Sequence, residues 1–174
     1  MHAAEEWAVA NGLPLYDLGG GESSPEWYRC VDILDSADVE CDIRHGLPFE
    51  DNSVGVIRAK DFLEHVPHCA DSTCRHQACY CTVGLMNEIH RVLVPGGWLL
   101  SMTPSTGGRG AFQDPTHCSF WNRNSFWYYT REEQARFVPG IKARFEGEAW
   151  EEFPSEWHEA NEILYVFANL TAVK

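Results

Sequence analysis

Basic residues are scarce in this chain: 13 Lys and Arg stand against 26 Asp and Glu, a formal net charge of −13. That balance repels the phosphate backbone of DNA or RNA, and no local basic patch offsets it, so nucleic acid is not an expected partner. Long apolar runs are missing too, and none approaches the roughly 18 residues that a membrane-spanning helix needs. The opening stretch MHAAEEWAVANGLPLYDL has no basic segment leading into an apolar one, so no secretory signal is read there and a cytoplasmic chain is the expectation. Repeats and low-complexity tracts are absent. So are the common phosphate-binding signatures: no G-x-x-x-x-G-K-[ST] brings a lysine to a triphosphate, and the glycines at 19–21 have no third spaced partner to complete G-x-G-x-x-G.

What is present suits one folded unit. A chain of 174 residues that is 44% hydrophobic can bury a core without a disulfide framework, and residues 1–174 read as a single domain. Short apolar runs recur: Leu13–Leu18, Arg29–Leu34, Asp38–Ile43, Ser53–Ala59 and the WLLSMT stretch at 98–103 read as strands. A helix is expected over His2–Ala10. Leu85, Met86, Ile89 and Val92 repeat at helical spacing, and Pro95-Gly96-Gly97 is expected to stop that helix before the next strand. Ser125–Phe137 reads as a further helix, and the tail alternates well enough for two antiparallel strands. The order predicts an α/β fold: a Rossmann-like open sheet of about seven strands, mostly parallel with an antiparallel C-terminal strand. Ligands of such sheets bind beyond the carboxyl ends of the strands, which places Asp17, Asp32, Asp42 and Asp61 along one crevice.

The stretch YDLGGGESSPEWYRCVDI puts three consecutive glycines after the first strand, where a missing Cβ lets something approach the backbone closely. Asp17, Gly19 and Gly21 resemble the first motif of class I S-adenosylmethionine-dependent methyltransferases. The resemblance continues through Asp32 in VDI, through CDI and LPFEDNSVGVIRAKDFLEHV, and through NEIHRVLVPGGWLLSMTPS, covering roughly Leu15–Ser105. It implies S-adenosylmethionine as cofactor, with Gly19, Gly20 and Gly21 along its methionine part. Asp32, followed by Ile33, would accept the ribose hydroxyls, Asp42 and Ile43 would border the adenine, and Asp17 and Asp61 would complete the set. An ionised carboxylate is acceptor-only and can take two hydroxyl donors at once, which suits a ribose diol. Asp17 and Asp32 lie too close in sequence for a full crossover helix between them. The chain therefore resembles an abbreviated branch of small bacterial and phage-type methyltransferases (methyltransferase type 11-like). A second subunit, as in a homodimer, or the aromatic loop would then complete the pocket.

That loop, at about 104–130, carries Phe112, Phe120, Trp121, Phe126, Trp127, Tyr128 and Tyr129, suited to a small apolar or cationic acceptor or to a satellite core. Within it, Asp114-Pro115-Thr116-His117 resembles a motif at the same place in related enzymes. A histidine there, His117, could accept the nucleophile's proton with Asp114 fixing its tautomer, or could instead hold the loop by hydrogen bonds. Asp61, Glu64 and His65 resemble an acidic-x-x-Glu-His signature that some methyltransferases use for magnesium or manganese, while in the LEHV branch Glu64 and His65 only position the chain. Four of the seven cysteines crowd into an insertion at about 66–84. Cys69, Cys74, Cys79 and Cys81, with His68 or His76 able to replace one, could close a structural zinc tetrahedron, with free thiols or a disulfide as the alternatives. The resulting expectation is methyl transfer to an unidentified small-molecule acceptor. A non-catalytic S-adenosylmethionine-binding regulatory or assembly module on the same fold is the rival.

Overall fold

A computed structural model describes residues 2–68 and 81–174. Seven strands form one sheet: β1 (Leu15–Leu18), β2 (Arg29–Asp32), β3 (Val39–Glu40), β4 (Val54–Lys60), β5 (Leu93–Pro104), β6 (Phe145–Glu152) and β7 (Tyr165–Ala172). Their spatial order is β3-β2-β1-β4-β5-β7-β6. β1 to β5 pair in parallel, while β7 runs antiparallel to both β5 and β6. This is the α/β architecture expected from the sequence, with the reversal of strand order at β1 and β4.

The central strands are apolar without alternation because both of their faces are covered. β1 is buried at all four positions. On one face Ala4 and Ala8 of helix α1 (Ala3–Ala10) pack with Leu15, Val56 and Tyr28. On the other face Met86, Ile89 and Val92 of helix α2 (Thr82–Val92) join Tyr16, Leu18, Ile57 and Leu99 in the main core. α1 starts with a capping box between His2 and Glu5, and Tyr28 donates its hydroxyl to Glu5 at 2.8 Å, pinning the helix to the sheet. Among the described residues, no helix is long and apolar enough to cross a membrane.

Three expectations are revised. Pro95-Gly96-Gly97 does not separate α2 from its strand; Leu93 passes straight into β5, and the three residues form a bulge. Val54 pairs with Leu93 but Val56 pairs with Trp98, and Gly96 takes a φ of 76°. The helix expected over Ser125–Phe137 is broken into a 3₁₀ turn (Arg123–Phe126) and two short helices. Counting α3 (Gly110–Gln113), these are α4 (Trp127–Thr130) and α5 (Glu132–Ala135). The break falls at Arg131, whose backbone is extended while its guanidinium lies 3.9 Å above the Trp127 ring. A short helix, α6 (Glu156–Ala160), stands between the last two strands, where none was expected.

The core makes one prediction. Ile89 is fully buried between α2 and the sheet, so Ile89→Ala should cost about 2–5 kcal/mol, read as a lower urea midpoint with unchanged slope. Val9→Ala on the exposed face of α1, 54% accessible, should change stability by less than about 0.5 kcal/mol.

Candidate active site

The glycine turn at the end of β1 folds around the protein's own side chains. Gly19 takes a φ of 67° and donates its N–H to the Val31 carbonyl at 2.9 Å, drawing the turn against β2. A Cβ on Gly19 would overlap the Phe62 ring, and one on Gly20 would overlap the Asp17 carboxylate and the Ser24 hydroxyl. Asp17 is fully buried. It stands opposite Arg58 across the β1–β4 ladder, and its Oδ2 accepts from Arg58 Nη1 at 2.5 Å and from Ser24 Oγ at 2.7 Å. Its Oδ1 is buried with no hydrogen bond. Burial pushes the Asp17 carboxyl above its usual range, against the opposing pull of Ser24 and Arg58.

Beside the turn lies a cavity of about 370 Å³, lined by Gly19, Val31, Asp32, Ile33, Cys41, Asp42, Ile43, Arg44, Phe62, His65 and Val66. Asp32 ends β2, with Oδ1 accepting the Leu34 amide at 3.2 Å and its carbonyl accepting the Cys41 amide at 2.7 Å. Ile33 beside it is 61% exposed. Asp42 is clasped by Arg44: its Oδ1 accepts from the backbone amide and Nε, its Oδ2 from Nε and Nη2. Those bonds hold the Asp42 carboxyl down to about 2. The structure thus brings Gly19, Asp32, Ile33, Asp42 and Ile43 to one cavity. Asp17, Gly20 and Gly21 do not line it, and neither does Asp61. Asp61 has a φ of 49° and lies with Lys60 and Tyr165, whose phenol is pushed up by burial and by Asp61.

On the far rim, the expected Asp114–His117 pair is not formed. Asp114 Oδ1 accepts from the Thr116 amide at 2.7 Å and from its hydroxyl at 2.6 Å, and the same hydroxyl sits 3.2 Å from His65 Nδ1. A hydroxyl that donates to a carboxylate receives from the imidazole, so Asp114 orients His65 through Thr116. His117 instead places Nδ1 3.1 Å from the Ala111 carbonyl, an acceptor only, so Nδ1 carries the proton. These bonds set the tautomer of the neutral ring in both cases, with Nε2 as the lone-pair nitrogen. The two rings meet edge to face at 5.0 Å. Beneath them Glu64 is 2% exposed, its Oε2 bonded to the Thr103 hydroxyl at 2.5 Å, and burial raises its carboxyl above the usual range. The Glu64 carbonyl accepts the Cys118 and Ser119 amides, which fastens the aromatic loop to the 3₁₀ turn (Leu63–His65) that follows β4.

Of the loop's aromatics, Trp121, Phe126 and Tyr129 join the core, while Phe112 and Phe120 stack on each other at 5.2 Å with exposed faces. Phe120, Trp121, Tyr128 and Tyr129 help line a second cavity of about 210 Å³. The zinc ligands Cys69, Cys74 and Cys79, with His76, lie outside the described residues. Cys81 is disulfide-bonded, so its sulfur is no thiolate for zinc; it serves as the cap of α2, 3.4 Å from the Gly84 amide. His68 approaches the Phe120 amide at 3.2 Å. Arg58, Ser24, Phe62 and Thr116 were missed from sequence. Only Arg58 carried a signal, as a lone charge inside an apolar β-branched run.

Residues 16–101 match the family model for a methyltransferase domain. No curated protein matches the chain. Solved structures of similar fold include a S-adenosylmethionine-dependent methyltransferase from Methanosarcina mazei, with a TM-score of 0.58 and 13% identity over 95% of this chain and 96% of that one. A methyltransferase from Bacillus halodurans aligns with a TM-score of 0.56 and 12% identity over 99% of both chains. A chain from the complex of the Haloferax volcanii Trm112 methyltransferase activator with a methyltransferase gives 0.57 and 15% identity, covering 98% of this chain and 89% of that one.

Removing the cation beside Asp17 tests the site's foundation. Arg58→Met leaves a buried carboxylate with Ser24 alone, and should cost about 3–5 kcal/mol at neutral pH. A carboxyl whose folded pKa is raised gives full stability below its ordinary value of 3.8 and loses it as pH rises through the folded pKa. The deficit of the variant should therefore shrink as pH falls toward 4, read by urea unfolding across the pH range (about 4–8); a deficit that is flat with pH would separate Asp17 from the effect.

Proposed function

We infer that the chain is a class I S-adenosylmethionine-dependent methyltransferase, that the cavity beyond β2 and β3 holds the adenosine half of that cofactor and that its methyl group passes to a small-molecule acceptor. The observation that carries this reading is the convergence of Gly19, Asp32, Ile33, Asp42 and Ile43 on one cavity at the carboxyl ends of adjacent parallel strands. Its volume lies within the range of about 300–1,000 Å³ usual for cofactor sites.

In this reading Asp32 accepts the two ribose hydroxyls, since only one of its oxygens is committed, to the Leu34 amide. Asp42, its carboxylate satisfied by Arg44, contributes shape and backbone polarity beside Ile43 at the adenine edge. The turn at Gly19, Gly20 and Gly21 runs along the methionine part. Asp17 acts from below, holding that turn, and Asp61 stands at the acceptor end with Tyr165. When bound, the cofactor's sulfonium supplies an already activated methyl group. The protein's work is then chiefly to orient the acceptor, for which alignment is worth on the order of 7–11 kcal/mol. His117 offers an unprotonated Nε2 that can take the acceptor's proton. Asp114 is a positioning residue, acting on His65 through Thr116.

Titration calorimetry with S-adenosylmethionine checks the cofactor site: Asp32→Ala should weaken binding at least about tenfold, the loss of two hydrogen bonds to a charged acceptor, with the thermal midpoint unchanged. Equal affinity in the variant would remove the ribose assignment. On the acceptor side, a mass-spectrometric screen for S-adenosylhomocysteine release over amines, thiols and hydroxyl compounds identifies the acceptor class. In that assay His117→Ala should lower turnover while cofactor affinity holds; matched losses would make His117 structural.

A further inference from the structure

Glu64 and His65 come from the 3₁₀ turn after β4 (Leu63–His65) and His117 from the aromatic loop, far apart in the chain, yet each places a ligand atom within 4.8 Å of the other two. Other features surround this cluster as a metal centre's supporting shell would. Each imidazole has its Nδ1–H engaged by an acceptor, the Ala111 carbonyl for His117 and the Asp114-backed Thr116 hydroxyl for His65. That arrangement fixes the tautomer with Nε2 as the donor nitrogen, as metal-bound histidines are ordinarily fixed. Glu64 has Oε2 held by Thr103, leaving Oε1, and it is 2% exposed. Among the described residues no lysine or arginine pairs with it. A buried carboxylate without a cationic partner is costly, and a bound cation offsets that cost.

We propose that Glu64, His65 and His117 form a binding site for a divalent first-row transition ion at the rim of the cofactor cavity. Two imidazoles and one carboxylate suit zinc, iron(II) or cobalt(II); magnesium and calcium favour all-oxygen shells. The magnesium or manganese set read from sequence, which included Asp61, is thereby revised: His117 takes the place of Asp61, which lies with Lys60 and Tyr165. Three protein ligands leave coordination positions open. His65 also lines the cavity, so those positions adjoin the region where the reading above puts the methyl donor. An oxygen of the acceptor bound there would be acidified by the ion and would give its proton to water; His117 takes that proton, as read above, only when Nε2 carries no ion.

The test is a cobalt(II) titration of the full chain, purified without a polyhistidine tag, followed by visible absorption. One equivalent should bind, with ligand-field bands and no thiolate charge-transfer band, which separates this site from the cysteines of the insertion. Affinity should fall at least tenfold in His117→Ala and in His65→Ala, two variants on different segments, and in the isosteric Glu64→Gln; His45→Ala, on an exposed turn, should bind as the native chain does. No uptake at millimolar cobalt, uptake with thiolate bands alone, or uptake unchanged in the folded variants would overturn the proposal. S-adenosylmethionine calorimetry on the same samples keeps the two readings apart. Intact cofactor binding without cobalt uptake removes the ion and leaves the cofactor site standing.

Discussion

At the carboxyl end of the sheet a carboxylate with almost no solvent contact faces a guanidinium on the neighbouring strand, and the surrounding geometry follows from keeping that pair dry and bonded. Asp17 and Arg58 are register partners, so their contact is set by the same ladder that aligns β1 with β4. Ser24 reaches back from beyond the glycine turn to the same oxygen, which closes the turn over the pair. The turn can close because Gly20 has no side chain to collide with either group, and it meets β2 because the Gly19 amide bonds to Val31. Phe62 then fills the space a Cβ on Gly19 would take, and becomes one wall of the cavity. The glycines that looked like room for a ligand are in large part room for this arrangement.

The fold was legible because its signals are local. Short apolar runs marked the strands, although β2 ends at Asp32 and β3 at Glu40, short of the Leu34 and Ile43 read from sequence. The period of Leu85, Met86, Ile89 and Val92 marked the helix that covers one face. What escaped the sequence depends on register or on distant segments. Nothing in a linear pattern says that Arg58 lies across from Asp17, or that Thr116 reaches His65 and thereby takes Asp114 away from His117. Pro95-Gly96-Gly97 misled for a related reason: the same residues that end a helix also make a bulge, and the pairing of Val54 and Val56 decided between them.

The rim of the cavity is assembled from two segments that touch through backbone as well as side chains. The Glu64 carbonyl takes two amides from the loop, and the Ser119 hydroxyl bonds to the Leu63 carbonyl at 2.8 Å. Trp121 donates to Ser119 at 2.9 Å and packs on Phe126, so the loop's buried aromatics anchor it. His65 and His117 are therefore held by a rigid frame, and their polar partners are chosen by that frame. The exposed stack of Phe112 and Phe120, together with Tyr128, presents the loop's apolar surface to solvent.

Between β1 and β2 a single 3₁₀ turn, Gly21–Ser23, stands where a crossover helix would ordinarily roof the sheet. Ile33 and Leu34, just past β2, are accordingly more than half and half exposed. The bearing of this is on kinetics. Among the described residues nothing roofs the β1–β2 edge, so a ligand seated against it keeps part of its surface in water. On the proposed reading, that open edge would let spent product exchange for fresh donor without a closing element on this side of the sheet.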